Sequence, residues 1–350
     1  MSLPRVMIST FAVRTGLAAL AALSAVPSAA QQPAFRTDSI VAPAPSRPRE
    51  RARAPGAPAA AAAARPKAPR SPLADIPGNE TLPIPWPEGP APLPGALLPD
   101  TRIVAYYGNP LSTRMGILGQ LPPEEMMAKL ERTAREWAAA EPSRQVRPAL
   151  HLIATTAQRL PGPDAKHRLR MSDSLIERVA RWAESRGWLL FLDVQVGRST
   201  VQDELPRLIK YLERPYVHLA LDPEFAMPEG KTPGRTIGTM DAVTINWAID
   251  TLAKVVQARG LPPKVLVVHR FTSDMITNAS KIRLDPRVQV VIDMDGFGSP
   301  ALKKGTWRRV IRTDPVWFTG FKLFYKNDKP MMTPAEVLAL FPQPVYVQYQ

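Results

Sequence analysis

The 350-residue sequence contains no cysteine. Disulfides, thiolate nucleophiles, zinc–thiolate centres and a lipid anchor on cysteine are therefore excluded. Histidine is scarce, with four in the chain, and no HExxH or comparable ligand spacing occurs. No Gly-x-Gly-x-x-Gly follows a candidate strand. The fragment MGILGQ (115–120) lacks that spacing, which argues against a dinucleotide site. No apolar run reaches the roughly 20 residues that a bilayer demands. The formal net charge is +14, yet no aromatic-interleaved basic motif or nucleic-acid module accompanies it, so nucleic acid is not an expected partner.

What is present divides the chain unevenly. Residues 1–30 place Arg5 and Arg14 before an apolar run from Gly16 to Val26, then small residues ending at Ala30. That order reads as a signal peptide cleaved after Ala30, and it predicts export to the periplasm or beyond, with no transmembrane segment once it is removed. Residues 31–99 are dominated by Pro, Ala and Arg without apolar periodicity, the composition of a disordered, semi-stiff spacer. Its basic character suits an anionic envelope surface. Within it, LPIPWPEGPAPLPGALLP (82–99) carries Trp86 and several aliphatics and is expected to lie partly against the folded part. Residues 100–350 form the one folded domain. At about 250 residues it can bury most of its unfolded surface without disulfides or a structural metal, so no cofactor is expected.

Eight β-rich runs punctuate that domain: 102–108, 149–155, 188–196, 217–225, 264–271, 288–296, 317–325 and 345–350. Amphipathic segments with helix-start signals lie between them. Pro122 and Pro123 open EEMMAKLERTAREWAAA, Ser172 precedes DSLIERVARWAESR, Thr200 precedes VQDELPRLIKYLE, and Thr239 precedes a long segment closed by Gly260. Thr333-Pro334 opens the last. Alternating strands and helices predict parallel strands with right-handed crossovers, and eight of them predict closure: an α/β fold of the (β/α)8 TIM-barrel type behind a disordered linker. The sequence stops at the eighth strand, so the eighth helix is expected to be missing or replaced by N-terminal residues such as those around Trp86.

Chemistry in such barrels gathers where strands end. Here the third run ends in Asp193-Val-Gln195, the fourth in Asp222-Pro-Glu224 and the sixth in Asp293-Met-Asp295, with His269 ending the fifth. Alternate strand residues share a face, so each pair would point inward in two layers about 6.5 Å apart. Carboxylates crowded this way raise one another's pKa, which keeps one protonated near neutrality for acid catalysis. Glu224, the upper member of its pair, is the expected general acid. Asp222 would assist it, and Asp293 would supply a further carboxylate. Asp193, Gln195, His269 and Asp295 are the expected ligand contacts, with Tyr107, Tyr325 and Gln348 from the first, seventh and eighth strands. His151 is expected at the start of its strand, facing the barrel floor.

The run LALDPEF (219–225) resembles the fourth-strand Asp-x-Glu of secreted barrel glycoside hydrolases, notably chitinase-like enzymes and barrel-type muramidases. Val217 and Ala220 stand where the chitinase pattern has further aspartates. The resemblance implies a carbohydrate-active hydrolase acting on envelope or extracellular polysaccharide, with Glu224 as acid and Asp222 as helper. Two other readings remain open. One is a non-catalytic barrel that binds glycan or another envelope component. The other is a hydrolase dependent on a divalent metal held by Asp193, Asp222, Glu224, His269, Asp293 and Asp295.

Overall fold

In the computed structural model the described residues are 85–350. The leader reading, and the spacer reading up to residue 84, lie outside them. Eight parallel strands form the barrel: β1 (Thr101–Gly108), β2 (Gln145–Ala157), β3 (Leu189–Val194), β4 (Val217–Leu221), β5 (Lys264–Arg270), β6 (Val288–Met294), β7 (Phe318–Leu323) and β8 (Tyr346–Tyr349). Each pairs with its neighbours in sequence, and β1 pairs with both β2 and β8, which closes the sheet. The strands read as nearly continuous apolar runs because both faces are buried. One face, including Ile103, Ala105, Ala149, Phe191, Ala220, Val265, Val267 and Val291, fills the interior. The other, including Val104, Leu150, Leu190, Leu219 and Val268, packs against the helices.

All but the first of the following helices begin where a side chain caps their free N–H groups. α1 (Pro123–Ala140) starts on Pro123, whose fixed φ suits a first turn. α2 (Asp173–Glu184) is capped by Ser172, whose hydroxyl accepts from the Leu175 N–H. α3 (Ala242–Arg259) is capped by Asp241 rather than Thr239, and it ends on Gly260 at φ 60°, a left-handed conformation that glycine adopts without penalty. α4 (Pro300–Trp307) runs on into a wider π turn, Arg308–Arg312. α5 (Pro334–Leu338) has a reciprocal cap between Thr333 and Glu336.

Strict alternation fails at two crossovers. Between β3 and β4 the expected helix is two single turns, Val201–Glu204 and Ile209–Leu212, on either side of Pro206, which has no N–H to continue the ladder. Between β5 and β6 there is no α-helix. Two short 3-10 turns occur there, with an extended pair Ile276–Thr277 lying parallel to Met240–Asp241.

The floor of the barrel is sealed by the segment that precedes β1. Leu98 is fully buried with the interior residues. The Leu97 and Leu98 N–H groups both donate to Gln289 Oε1 at 3.1 Å, and Gln289 Nε2 donates to Leu98 O at 2.6 Å. Nearby, Trp86 Nε1 donates to Trp317 O at 2.9 Å, so the expected docking of this stretch is realised through an indole and a plug of two leucines.

Candidate active site

Toward the opposite end of the lumen the inward positions change from apolar to polar. Every strand contributes: Tyr107 from β1, His151 from β2, Asp193 from β3, Asp222 just past β4, His269 from β5, Asp293 from β6, Lys322 from β7 and Gln348 from β8, all buried. Strand register sets the neighbours. Tyr107 lies opposite His151, His269 opposite Asp293, and Lys322 opposite Gln348.

The centre of this layer is a histidine–carboxylate cluster. Asp193 Oδ2 lies 3.7 Å from His151 Nε2 and 3.8 Å from His269 Nε2. On its other side, His269 Nδ1 stands 3.1 Å from Asp295 Oδ2 and 3.5 Å from Asp293 Oδ2. His151 Nδ1 meets the Tyr346 hydroxyl at 2.6 Å and Gln348 Nε2 at 2.9 Å. Lys322 Nζ binds Asp295 at 3.1 Å and sits 3.9 Å from the Tyr107 ring centroid. The paired Asp293 and Asp295 therefore do share the inward face, as their period-two spacing predicts.

Asp222-Pro-Glu224 reaches the same lumen by a different route. β4 ends at Leu221, and Asp222 caps a 3-10 turn over Pro223–Phe225, its Oδ1 accepting from the Glu224 N–H at 3.1 Å. Proline in the turn ends strand pairing, so alternation does not place Glu224; the turn does. Asp222 Oδ2 accepts from Gln195 Nε2 at 3.3 Å. Gln195 also donates to the Tyr107 hydroxyl at 3.1 Å and accepts from the Ala157 N–H at 3.1 Å.

Burial and neighbouring charges split the protonation states. Burial, with Asp222 and Asp295 adding repulsion, pushes the Glu224 carboxyl well above the ordinary range. Burial also raises Asp222 and Asp293, each to about 7. For Asp295, burial acts in the same direction, but Lys322 and His269 outweigh it and hold the carboxyl below its usual value. His151 and His269 do the same for Asp193. Burial lowers His151 to about 4. It opposes the charged form of His269 too, but the Asp295 contact prevails and raises that ring to about 9. The lumen thus holds neutral carboxylic acids beside ionised carboxylates.

Of the residues expected from sequence, Glu224, Asp222, Asp293, Asp193, Gln195, His269, Asp295, Gln348 and Tyr107 converge on this lumen. Tyr325 does not. Its hydroxyl bonds that of Tyr106 at 2.9 Å, its ring packs on Tyr349, and Lys129 of α1 covers it at 4.0 Å, all in the layer between barrel and helices. Two lumen residues were missed. His151 is not at the floor, because β2 starts at Gln145 and puts it mid-strand, in phase with inward Ala149. Lys322 had a readable signal, a lone charge inside an apolar strand. The other histidines lie elsewhere: His218 accepts from the Val265 N–H lower in the barrel, and His167 bonds Arg159 O in a loop.

No family model matches the chain, and no curated protein matches it. Among solved structures it is similar to the crystal structure of a ruminal GH26 endo-beta-1,4-mannanase, at 10% identity and a TM-score of 0.35, over 71% of this chain and 58% of that one. The chain therefore matches less than two thirds of that protein's length, and the barrel assignment stands on its own strand pairing. No described helix is long and apolar enough to cross a membrane.

Proposed function

We propose that the lumen is the active site of an acid–base hydrolase acting on polysaccharide, with Glu224 as the proton donor. The observation that carries this reading is the opposite push on two carboxyls at one mouth: half-buried Glu224, beside Asp222 and Asp295, is shifted toward its neutral form, while buried Asp295 is held toward its ionised form by Lys322 and His269. A pair of carboxyl groups whose environments push them apart is what acid–base cleavage of a glycosidic bond uses. Glu224 would protonate the leaving oxygen. Asp295 would stabilise positive charge on the sugar or take the proton of the attacking water. Asp222 positions the acid through the Glu224 N–H, and its own negative charge, when present, keeps the acid protonated. Asp293, against His269, supports the network.

The choice of glycan over other substrates rests on the resemblance of Asp222-Pro-Glu224 to secreted barrel glycosidases. Export follows from the N-terminal pattern and makes envelope polysaccharide the natural substrate class, with the basic spacer as a tether to anionic polymer. The test is release of new reducing ends from a panel of envelope and plant polysaccharides by the full chain. Cleavage that disappears in Glu224→Gln supports the reading. Binding of a glycan with no turnover, unchanged by that substitution, would instead indicate a non-catalytic glycan-binding barrel.

A further inference from the structure

We infer that His151, Asp193 and His269 form a binding site for one divalent transition-metal ion of the zinc class. The three donor atoms all lie within 4.8 Å of one another and all three residues are buried. Asp193 Oδ2 stands 3.7 and 3.8 Å from the two histidine Nε2 atoms. Those separations are too long for hydrogen bonds. They approach the roughly 3.3–3.5 Å between neighbouring ligand atoms around a tetrahedral ion with bonds of about 2.0–2.2 Å.

The same spacing leaves the facing atoms unsatisfied. His151 Nε2, His269 Nε2 and both Asp193 carboxylate oxygens have no hydrogen-bond partner, although buried polar atoms are nearly always satisfied. Among them, His151 Nε2, His269 Nε2 and Asp193 Oδ2 face one another, while His269 Nδ1 and both Asp293 oxygens nearby also lack a hydrogen-bond partner. Behind these atoms, His151 Nδ1 lies 2.6 Å from the Tyr346 hydroxyl and 2.9 Å from Gln348 Nε2, and His269 Nδ1 faces Asp295 Oδ2 at 3.1 Å without a well-formed hydrogen bond. A proton on His269 Nδ1 leaves its Nε2 lone pair for a cation; His151 offers its Nε2 lone pair in the tautomer that donates Nδ1–H to the Tyr346 hydroxyl, which requires the Gln348 amide to turn its unpartnered Oε1 toward that ring. The Asp295–His269 contact is the carboxylate–histidine support common behind metal ligands.

Two imidazoles and one carboxylate favour zinc-class ions over magnesium or calcium, which select all-oxygen shells. The bound ion would supply the positive charge that balances Asp193 and would displace any proton on His269 Nε2. This site does not depend on the hydrolase reading.

The test uses the full chain, stripped with chelator and then given Zn2+ or Co2+ alone. The expected result is one Zn2+ retained per chain after dialysis, a higher melting temperature with Zn2+, and a visible Co2+ absorption of a low-coordinate nitrogen–oxygen site. Asp193→Asn and His269→Gln should each weaken Zn2+ by at least tenfold, with Asp285→Asn as an unaffected control. Circular dichroism checks that each variant folds; if one does not, the Zn2+-induced shift of the histidine Nε2 resonances in the wild-type chain decides. No retained ion and no Co2+ band would overturn the site and leave buried water as the partner of these atoms. Zn2+ retained equally by all variants would also overturn it. Glycan cleavage that persists after chelation leaves the acid–base reading intact while the metal measurements stand or fall separately.

Discussion

The base and the mouth of the barrel treat polar groups differently. At the base, on the helix-facing side of β1, Arg102 is fully buried yet saturated: it pairs with Glu141, donates from Nε to Pro344 O at 3.2 Å and from Nη2 to Gln343 Oε1 at 3.0 Å, and lies over the Trp137 ring. Lys264 Nζ donates to the Arg214 and Val217 carbonyls, and both ends of the Gln289 amide are used. At the mouth, Asp193, Asp293 and His269 have carboxylate oxygens and ring nitrogens without hydrogen-bond partners. A satisfied buried group serves stability, whereas an unsatisfied one is held there at a cost that a ligand can offset. His218, lower in the lumen, keeps one unpartnered ring nitrogen, so the contrast is one of density: the base is mostly satisfied and the mouth mostly not.

That contrast can be broken by substitution, beginning with the largest effect. Glu224→Gln should lower the rate of glycan cleavage by roughly 10²–10⁴-fold, the usual contribution of a general acid, with little change in melting temperature. Measuring turnover and thermal unfolding on the same sample separates the two. Arg102→Ala should do the reverse. Loss of the buried guanidinium and its packing should cost on the order of 3 kcal/mol in urea unfolding, while turnover per folded molecule stays near wild type. A floor variant that lost activity without losing stability would erase the distinction.

Asp222→Asn comes next and tests the electrostatics of the mouth. The Asp222 carboxyl has a folded pKa of about 7 against roughly 3.9 when unfolded. The folded chain therefore binds the extra proton between those values, and stability falls as pH rises through that window. Asparagine can keep the cap on the Glu224 N–H but cannot ionise. The variant should match wild type near pH 4 and become progressively more stable than it as pH rises toward 8. With the Asp222 charge gone, the alkaline limb of the activity profile should move to lower pH. Equal stability curves across this range would remove the argument for a raised acid. The smallest effect belongs to the surface: Arg259→Ala, which breaks an exposed pair with Glu213 at 2.8 Å, should change unfolding free energy by less than about 0.5 kcal/mol.

The strands and most of the site were legible because both depend on local patterns. Apolar runs of strand length, separated by capped amphipathic segments, are recorded in the order of residues, and acids at strand ends reach the lumen once the strands close. Legibility failed where the answer depended on phase or on a neighbour. His151 was misplaced because four extra residues, 145–148, extend the start of β2. Tyr325 looked like a rim residue, but the chain turns after Leu323 and carries its ring to Tyr106 and Tyr349. The missing helix between β5 and β6 went unseen, since the polar stretch 271–287 could be read as a crossover of any form.

Residue order alone determined that the domain is a parallel α/β barrel and that its acids collect at one end, because strand period and helix caps are set by neighbours in the chain. Only the closed barrel decided which acids are neutral and which are ionised. It also decided that His151, Asp193 and His269, from three different strands, face one another. Those outcomes depend on distance through space and on exclusion of water, and both arise when the sheet curls until β8 meets β1.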